Sequence, residues 1–316
     1  MQDVTDLPWA HVAITGASSG LGRALALANA APGRVLHLAA RDTARLEESA
    51  AACRAMGKPF VAVLLEGFAK PAEWPGVRQI TIRLGAAGQA LDWLKAQGAR
   101  QIVLVGDVRR PSILSLRPDA GAAKFIARIG MRAFSGDDSL LSALRELLRE
   151  EGFEPVGPTR FLREAQTPPG LLTSTAPDAG ALADIARGVA VVRAIGAVDV
   201  GQGAVVQQGL VLGVEAIEGT DAMLARVREL RREGPGGVLV KLVKPGQDRE
   251  VDMPALGPRT VAGAIAAGLA GIAFEADGAL LVDREKMVEQ ADSAGLFLLA
   301  IRPDDHVRAA TTGAAR

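Results

Sequence analysis

The sequence predicts an α/β protein, with an amino-terminal Rossmann-like parallel-sheet domain and a separate carboxyl-terminal α/β domain. Three observations lead there. Short apolar runs bounded by glycine alternate with stretches of helical spacing through the first part of the chain, which is the pattern of a parallel sheet covered by helices. A stretch rich in proline and small polar residues, 158–180, then breaks the alternation and reads as a linker or long loop. Beyond it a second set of strand and helix patterns begins. The expected boundaries are 1–157, 158–180, 181–303 and a tail at 304–316, and 316 residues suffice for two cores.

In chain order, 12–15, 35–39, 60–65 and 102–105 read as short buried strands, and 21–31, 43–56 and 88–97 as the helices between them. Asp137 and Asp138 lead into Leu140, Leu141, Leu144, Leu147 and Leu148, an amphipathic helix with acids at its positive end. After the break, 181–195 reads as a helix. Strands are expected at 204–206, 210–214, 238–242, 272–274 and 296–301, with helices at 222–232 and 261–267.

Composition narrows the function. Apolar residues make up 49% and charged residues 23%, a globular balance. Aromatics are 3% with no tyrosine, so the core is aliphatic and tyrosine chemistry is excluded. Basic and acidic residues number 36 each; without a basic excess, no nucleic-acid partner is expected. Cys53 stands alone and fits a reducing cytoplasm. Asp3 and Asp6 precede any apolar run, unlike a signal peptide. The uncharged stretch 260–274 is 15 residues, short of the roughly 20 a spanning helix needs. A cytoplasmic protein is expected, able at most to touch a membrane surface. A second copy of the chain is a candidate partner.

Thr15-Gly16-Ala17-Ser18-Ser19-Gly20-Leu21-Gly22 follows an expected strand and opens an expected helix. Glycines there let backbone amides approach a pyrophosphate. Arg41, at the end of the second strand, could face a ribose 2'-phosphate. Residues 1–56 resemble the opening of a short-chain dehydrogenase, which implies Gly16, Gly20, Gly22 and Arg41 as an NADP site. That family's catalytic Tyr has no counterpart in a chain without tyrosine. The alternative is a turn with a structural role only.

The second constellation lies after residue 200. Glu215, Glu218 and Asp221 cluster where a strand runs into a Gly219-Thr220-Asp221 turn and a helix. Gly219 permits a tight turn, and Thr220 or Asp221 can cap the helix. Lys241 ends a strand, and Lys244 follows in a loop that carries Gln247 and Asp252 between Pro245 and Pro254. Cations beside carboxylates suit phosphoryl transfer: lysines offset phosphate charge, and a carboxylate positions a metal or the attacking water. The ordinary alternatives are a capping box and a solvated loop. His11, His37 and His306 are scattered and no cluster has zinc spacing, so a hard, oxygen-liganded ion such as Mg2+ is the expected metal.

From about residue 58 the chain resembles the UDP-2,3-diacylglucosamine pyrophosphatase family, of the magnesium-dependent, non-calcineurin type. The stretches that carry this are Val108-Arg109-Arg110-Pro111-Ser112, Gly136-Asp137-Asp138 and Asp199-Val200-Gly201-Gln202-Gly203-Ala204-Val205-Val206. They continue in Val214 to Leu224, Lys244-Pro245-Gly246-Gln247-Asp248, Val251-Asp252-Met253-Pro254, 267–273 and Asp283-Arg284-Glu285. The resemblance implies hydrolysis of a UDP-linked glycolipid in lipid A biosynthesis. It implies Asp252, Asp221 and Glu215 as catalytic residues, with Asp252 and Asp221 also toward Mg2+. Arg110, Asp137, Gly219, Thr220, Lys241, Lys244 and Gln247 would bind substrate. The family's usual glycine-rich opening is replaced by the dehydrogenase-like unit, which must either give strands to the sheet containing 61–65 or leave that domain impaired. Glu250 stands where the family pattern has arginine, and motivates an alternative: a nucleotide- or glycolipid-binding protein without turnover.

Overall fold

The computed structural model describes residues 11–15, 26, 35–40, 60–65, 78–83, 85–103, 123, 137–157, 167–245 and 253–306. The chain divides into two compact units, Met1–Leu162 and Arg163–Arg316.

In the first unit the apolar runs become β1 (His11–Thr15), β2 (Val35–Ala40), β3 (Phe60–Leu65) and β5 (Gln101–Val103), joined by β4 (Gln79–Ile82) and β6 (Glu154–Pro155). They form one six-stranded sheet in the order β4-β3-β2-β1-β5-β6, and every pairing in it is parallel. The dehydrogenase-like segment therefore gives strands to the common sheet: β2 pairs with β3 in the register Leu36↔Phe60 through Ala40↔Leu64. Leu91 and Leu94 of α1 (Ala87–Ala96) and Leu147 and Leu148 of α2 (Asp137–Glu150) pack with Val63, Ile82 and Ile102 into one core. Strand β4 was not expected, because QITI is too short and half polar to stand out; only its last residue is buried. Of the expected helix 21–31 only Ala26 is described, helical and buried; the expected helix 43–56 lies outside the described residues.

The second unit holds a mixed sheet in the order β7-β14-β12-β10-β8-β9. Its strands are β7 (Gly170–Leu171), β8 (Gly203–Gln207), β9 (Leu210–Val214), β10 (Val238–Lys241), β12 (Gly271–Glu275) and β14 (Phe297–Ile301). Strands β10, β12 and β14 are parallel; β8 runs against β10, and β7 against β14. The 158–180 segment is thus more than a linker. Leu171 pairs with Leu299, and the Thr173 hydroxyl accepts from the Leu298 amide at 3.0 Å. Proline and small residues concealed this, since two residues of edge strand leave no periodic signal.

Alternation along the strands decides which side chains meet which helix. Val238, Val240 and Leu242 share a core with Ile185, Val189 and Val192 of α3 (Ala179–Ala197). Leu239 belongs instead to the core on the other face, with Met223, Leu224 and Val227 of α4 (Gly219–Leu230), Val261 of α5 (Pro258–Ala266) and Met287 of α6 (Arg284–Ser293). Lys241, two residues after Leu239, points to the α4 face. Helix α6 has no marked apolar periodicity in the sequence, since it buries only Met287 and Ala291. A small parallel pair, β11 (Ala255–Leu256) with β13 (Leu280–Leu281), completes the unit.

Asp178 caps α3 by accepting from the Ala181 amide at 2.7 Å. Buried Asp184 holds the β8–β9 turn, accepting from the Gln208 amide at 2.9 Å and the Gly209 amide at 2.7 Å. Both turn residues have positive φ, 52° and 76°, as a tight hairpin requires. Among the described residues no helix is long and apolar enough to cross a membrane.

Candidate active site

The carboxyl ends of β10 and β12, the start of β8 and the end of β9 lie along one edge of the second sheet. Ligand sites in sheets with parallel strands favour that edge. Three charged groups stand there in register order. Glu215 follows β9 and its amide donates to the Gly203 carbonyl at 2.8 Å. Lys241 is paired with Gly203 on one side and Phe274 on the other. Glu275 is the next residue along β12.

Lys241 is 3% exposed and Glu215 7%. The ammonium reaches Glu215 Oε1 at 3.2 Å, Oε2 at 3.1 Å and Thr220 Oγ1 at 2.5 Å. The Thr220 hydroxyl in turn donates to Glu215 Oε1 at 2.7 Å. An ammonium has three protons, and three acceptors surround this one. A buried pair survives the cost of leaving water only with such complete partnering. Thr220 therefore does not cap α4, as its position had suggested; the N-cap residue is Glu218, with no side-chain cap bond. Gly219 has φ +79°, the backbone state that favours glycine. It turns the chain so that Thr220 faces inward.

The two glycines of Gly201-Gln202-Gly203 make room for Glu215, Gly203 for its carboxylate and Gly201 for its backbone. A Cβ at Gly203 would lie 2.5 Å from Glu215 Oε2, and one at Gly201 would overlap the Glu215 carbonyl.

Lys244 is held apart from that cluster: its ammonium donates to Asp199 Oδ1 at 2.6 Å. Asp199 sits in the left-handed region at φ 53°, a conformation Asp tolerates better than most side chains. The Val243 amide donates to Glu275 Oε2 at 3.0 Å. Asp199 and Glu275 were not among the expected site residues. The available signal was an acid closing a buried apolar run, GIAFE, in one case and an acid opening a glycine-rich turn in the other.

Asp221, expected as a catalytic and metal-binding carboxylate, turns outward. It pairs with Arg259, and both side chains are more than half exposed. Glu218 pairs with Arg226 at 2.7 Å; its own backbone amide, then Arg226, hold its carboxyl below the ordinary value. Among the described residues no group of three His, Cys, Asp or Glu side chains could hold a metal. Glu215 is engaged by Lys241 and Thr220, and Asp221 by the exposed Arg259. Arg110, Gln247, Asp252, Gly16, Gly20, Gly22 and Arg41 lie outside the described residues, as does the side chain of Asp137, which opens α2.

Comparison with known proteins supplies the remaining observation. Residues 47–165 match the LpxI N-terminal domain and residues 168–299 the LpxI C-terminal domain. The chain belongs to the LpxI family. It is 40% identical over 280 residues to a Caulobacter vibrioides protein named UDP-2,3-diacylglucosamine pyrophosphatase LpxI, covering 86% of this chain and 99% of that one. The N-terminal family match starts within the dehydrogenase-like segment, so residues before 47 are outside it. Solved structures that resemble the chain include dehydrogenases and reductases. One is a short-chain dehydrogenase/reductase from Mycobacterium marinum, 20% identical, TM-score 0.26, covering 47% of this chain and 54% of that one. Another is levodione reductase, 22% identical, TM-score 0.24, covering 46% and 51%. Likeness of that size bears no weight on the fold or cofactor of this LpxI-family chain.

Proposed function

We propose that this chain hydrolyses the pyrophosphate of UDP-2,3-diacylglucosamine to 2,3-diacylglucosamine 1-phosphate and UMP, in lipid A biosynthesis. The observation that supports this most is 40% identity across 99% of a protein named for that activity. The geometry agrees in kind: cations and carboxylates gather at the sheet edge where parallel strands end.

In the proposed reaction a water oxygen bonds to one phosphorus as the bridging P–O bond breaks, and each product keeps one phosphate. Lys244 offsets charge on the diphosphate, and Asp252 orients the attacking water. Lys241, with its three protons already engaged, keeps the Glu215–Thr220 turn in place. On this reading the chain works in the cytoplasm, in peripheral contact with the inner membrane that a diacylated substrate favours.

The test is UMP release from UDP-2,3-diacylglucosamine by the purified chain. Turnover is expected, and Asp252→Ala is expected to lose about a hundredfold or more. Chelation with EDTA is expected to abolish turnover and added magnesium to restore it, with the substrate's phosphates carrying most of the ion's ligands. Binding of the substrate without any UMP release would replace this reading with a non-catalytic glycolipid-binding one. An Asp252→Ala variant at wild-type turnover would remove that residue from the chemistry.

A further inference from the structure

Glu275 is a buried carboxylate, 7% exposed, that neither the sequence motifs nor the reaction above uses. It ends β12, and its Oε2 accepts from the backbone amide of Val243 at 3.0 Å. Val243 is the residue before Lys244, at the start of the connection that carries Gln247 and Asp252. Its neighbours are fixed as well: the Leu242 amide donates to the Gln202 carbonyl at 3.0 Å, and Lys244 to Asp199 at 2.6 Å. Pro245 packs so closely on α3 that a Cβ at Gly196 would be 3.0 Å from its Cδ.

The far end of the same connection returns to the turn that Glu275 begins. The Pro254 carbonyl, two residues after Asp252, accepts from the Leu280 amide at 2.9 Å. Residues 275–280 thus grip both described ends of the connection, at Val243 through a side chain and at Pro254 through the backbone. The turn itself is tight: Asp277 has φ 54°, and the Gly278 amide donates to the Glu275 carbonyl at 3.2 Å. A Cβ at Gly278 would lie 2.8 Å from Glu275 Cγ and 2.9 Å from Val243 Cγ2, so glycine there leaves the space the carboxylate occupies.

We propose that Glu275 is a positioning residue: by holding the Val243 amide it sets where Lys244 leaves the sheet. This rests on the hydrolytic reading above. What the amide needs is an acceptor oxygen, which glutamine also provides, whereas alanine provides none. Displacement of reacting groups by about an ångström costs about a hundredfold in rate.

Two readouts test it on the whole chain with E275Q, E275A and G278A. The first is amide hydrogen exchange of the 242–256 region, which is independent of activity. Loss of one hydrogen bond is expected to speed exchange there by about tenfold in E275A and to leave E275Q near wild type. The second is UMP release per folded molecule, with folding checked by thermal unfolding. E275A and G278A are expected to lose about ten- to a hundredfold in kcat with smaller change in KM, and E275Q to recover most of it. Unchanged exchange in folded E275A overturns the proposal, and so does E275Q failing as badly as E275A in exchange. If wild type releases no UMP while the exchange pattern is as expected, the hydrolytic reading fails and the positioning of the connection stands. Should E275A not fold, G278A carries the same comparison, since it crowds the carboxylate without removing it.

Discussion

Thr220 and Asp221 are neighbours in the first turn of α4 and end in opposite environments. Thr220 turns in, between the ammonium of Lys241 and the carboxylate of Glu215. Asp221 turns out and pairs with Arg259, with both side chains more than half exposed. Both pairings join a lysine or arginine to an acid, yet they differ in what surrounds them. Water screens the outer pair, which gains little over its solvated parts. The inner group has no water to fall back on, so every donor and acceptor must be met within the protein.

That contrast orders the expected effects of substitution. Lys241→Met is expected to be the most damaging, because it leaves Glu215 buried and uncompensated; a loss of about 3–5 kcal/mol in urea unfolding is expected. A loss under about 1 kcal/mol would mean that water reaches the pair and the contrast is false. Thr220→Val keeps the shape but removes a hydroxyl that both donates and accepts, with an expected cost of about 1–3 kcal/mol in the same measurement. Asp221→Asn is expected to change stability by less than about 1 kcal/mol, and the change should shrink further in high salt.

The smallest effect concerns Glu218. Its carboxyl is held below the ordinary value by its own amide and by Arg226. A depressed acid contributes stability that is present above its unfolded pKa and fades as pH falls through its folded one. Thermal unfolding of Glu218→Gln should therefore differ from wild type at neutral pH and converge with it in acid. A difference that grows in acid would reverse the sign assigned here.

Much of this arrangement was legible in the residues. The aliphatic runs at 238–242 and 272–274 announced buried strands, and β10 and β12 are found there. Glu215, Thr220 and Lys241 were singled out by type and spacing, and they do meet. Their manner of meeting was not legible. Thr220 looked like a helix cap from its place before an apolar run, and only the parity of β10 sends Lys241 to the α4 face where that hydroxyl is needed. Asp221 looked equivalent to Glu215, since one-dimensional spacing does not tell which of two acids faces the sheet. Asp199 and Glu275 were missed because each touches the connection after β10 from a distant part of the sequence, 45 and 32 residues away. Such contacts follow from strand order, which local patterns do not encode.

The two kinds of pair can be set against each other in one assay. UMP release from UDP-2,3-diacylglucosamine would be measured for Lys244→Ala at the sheet edge and for Arg259→Ala at the exposed pair. If the edge carries the chemistry, Lys244→Ala loses about a hundredfold in kcat/KM, while Arg259→Ala stays within about twofold of wild type. Lys244→Ala at wild-type kcat/KM, or an equal fall in Arg259→Ala, would contradict the assignment of the reaction to the edge where β10 and β12 end.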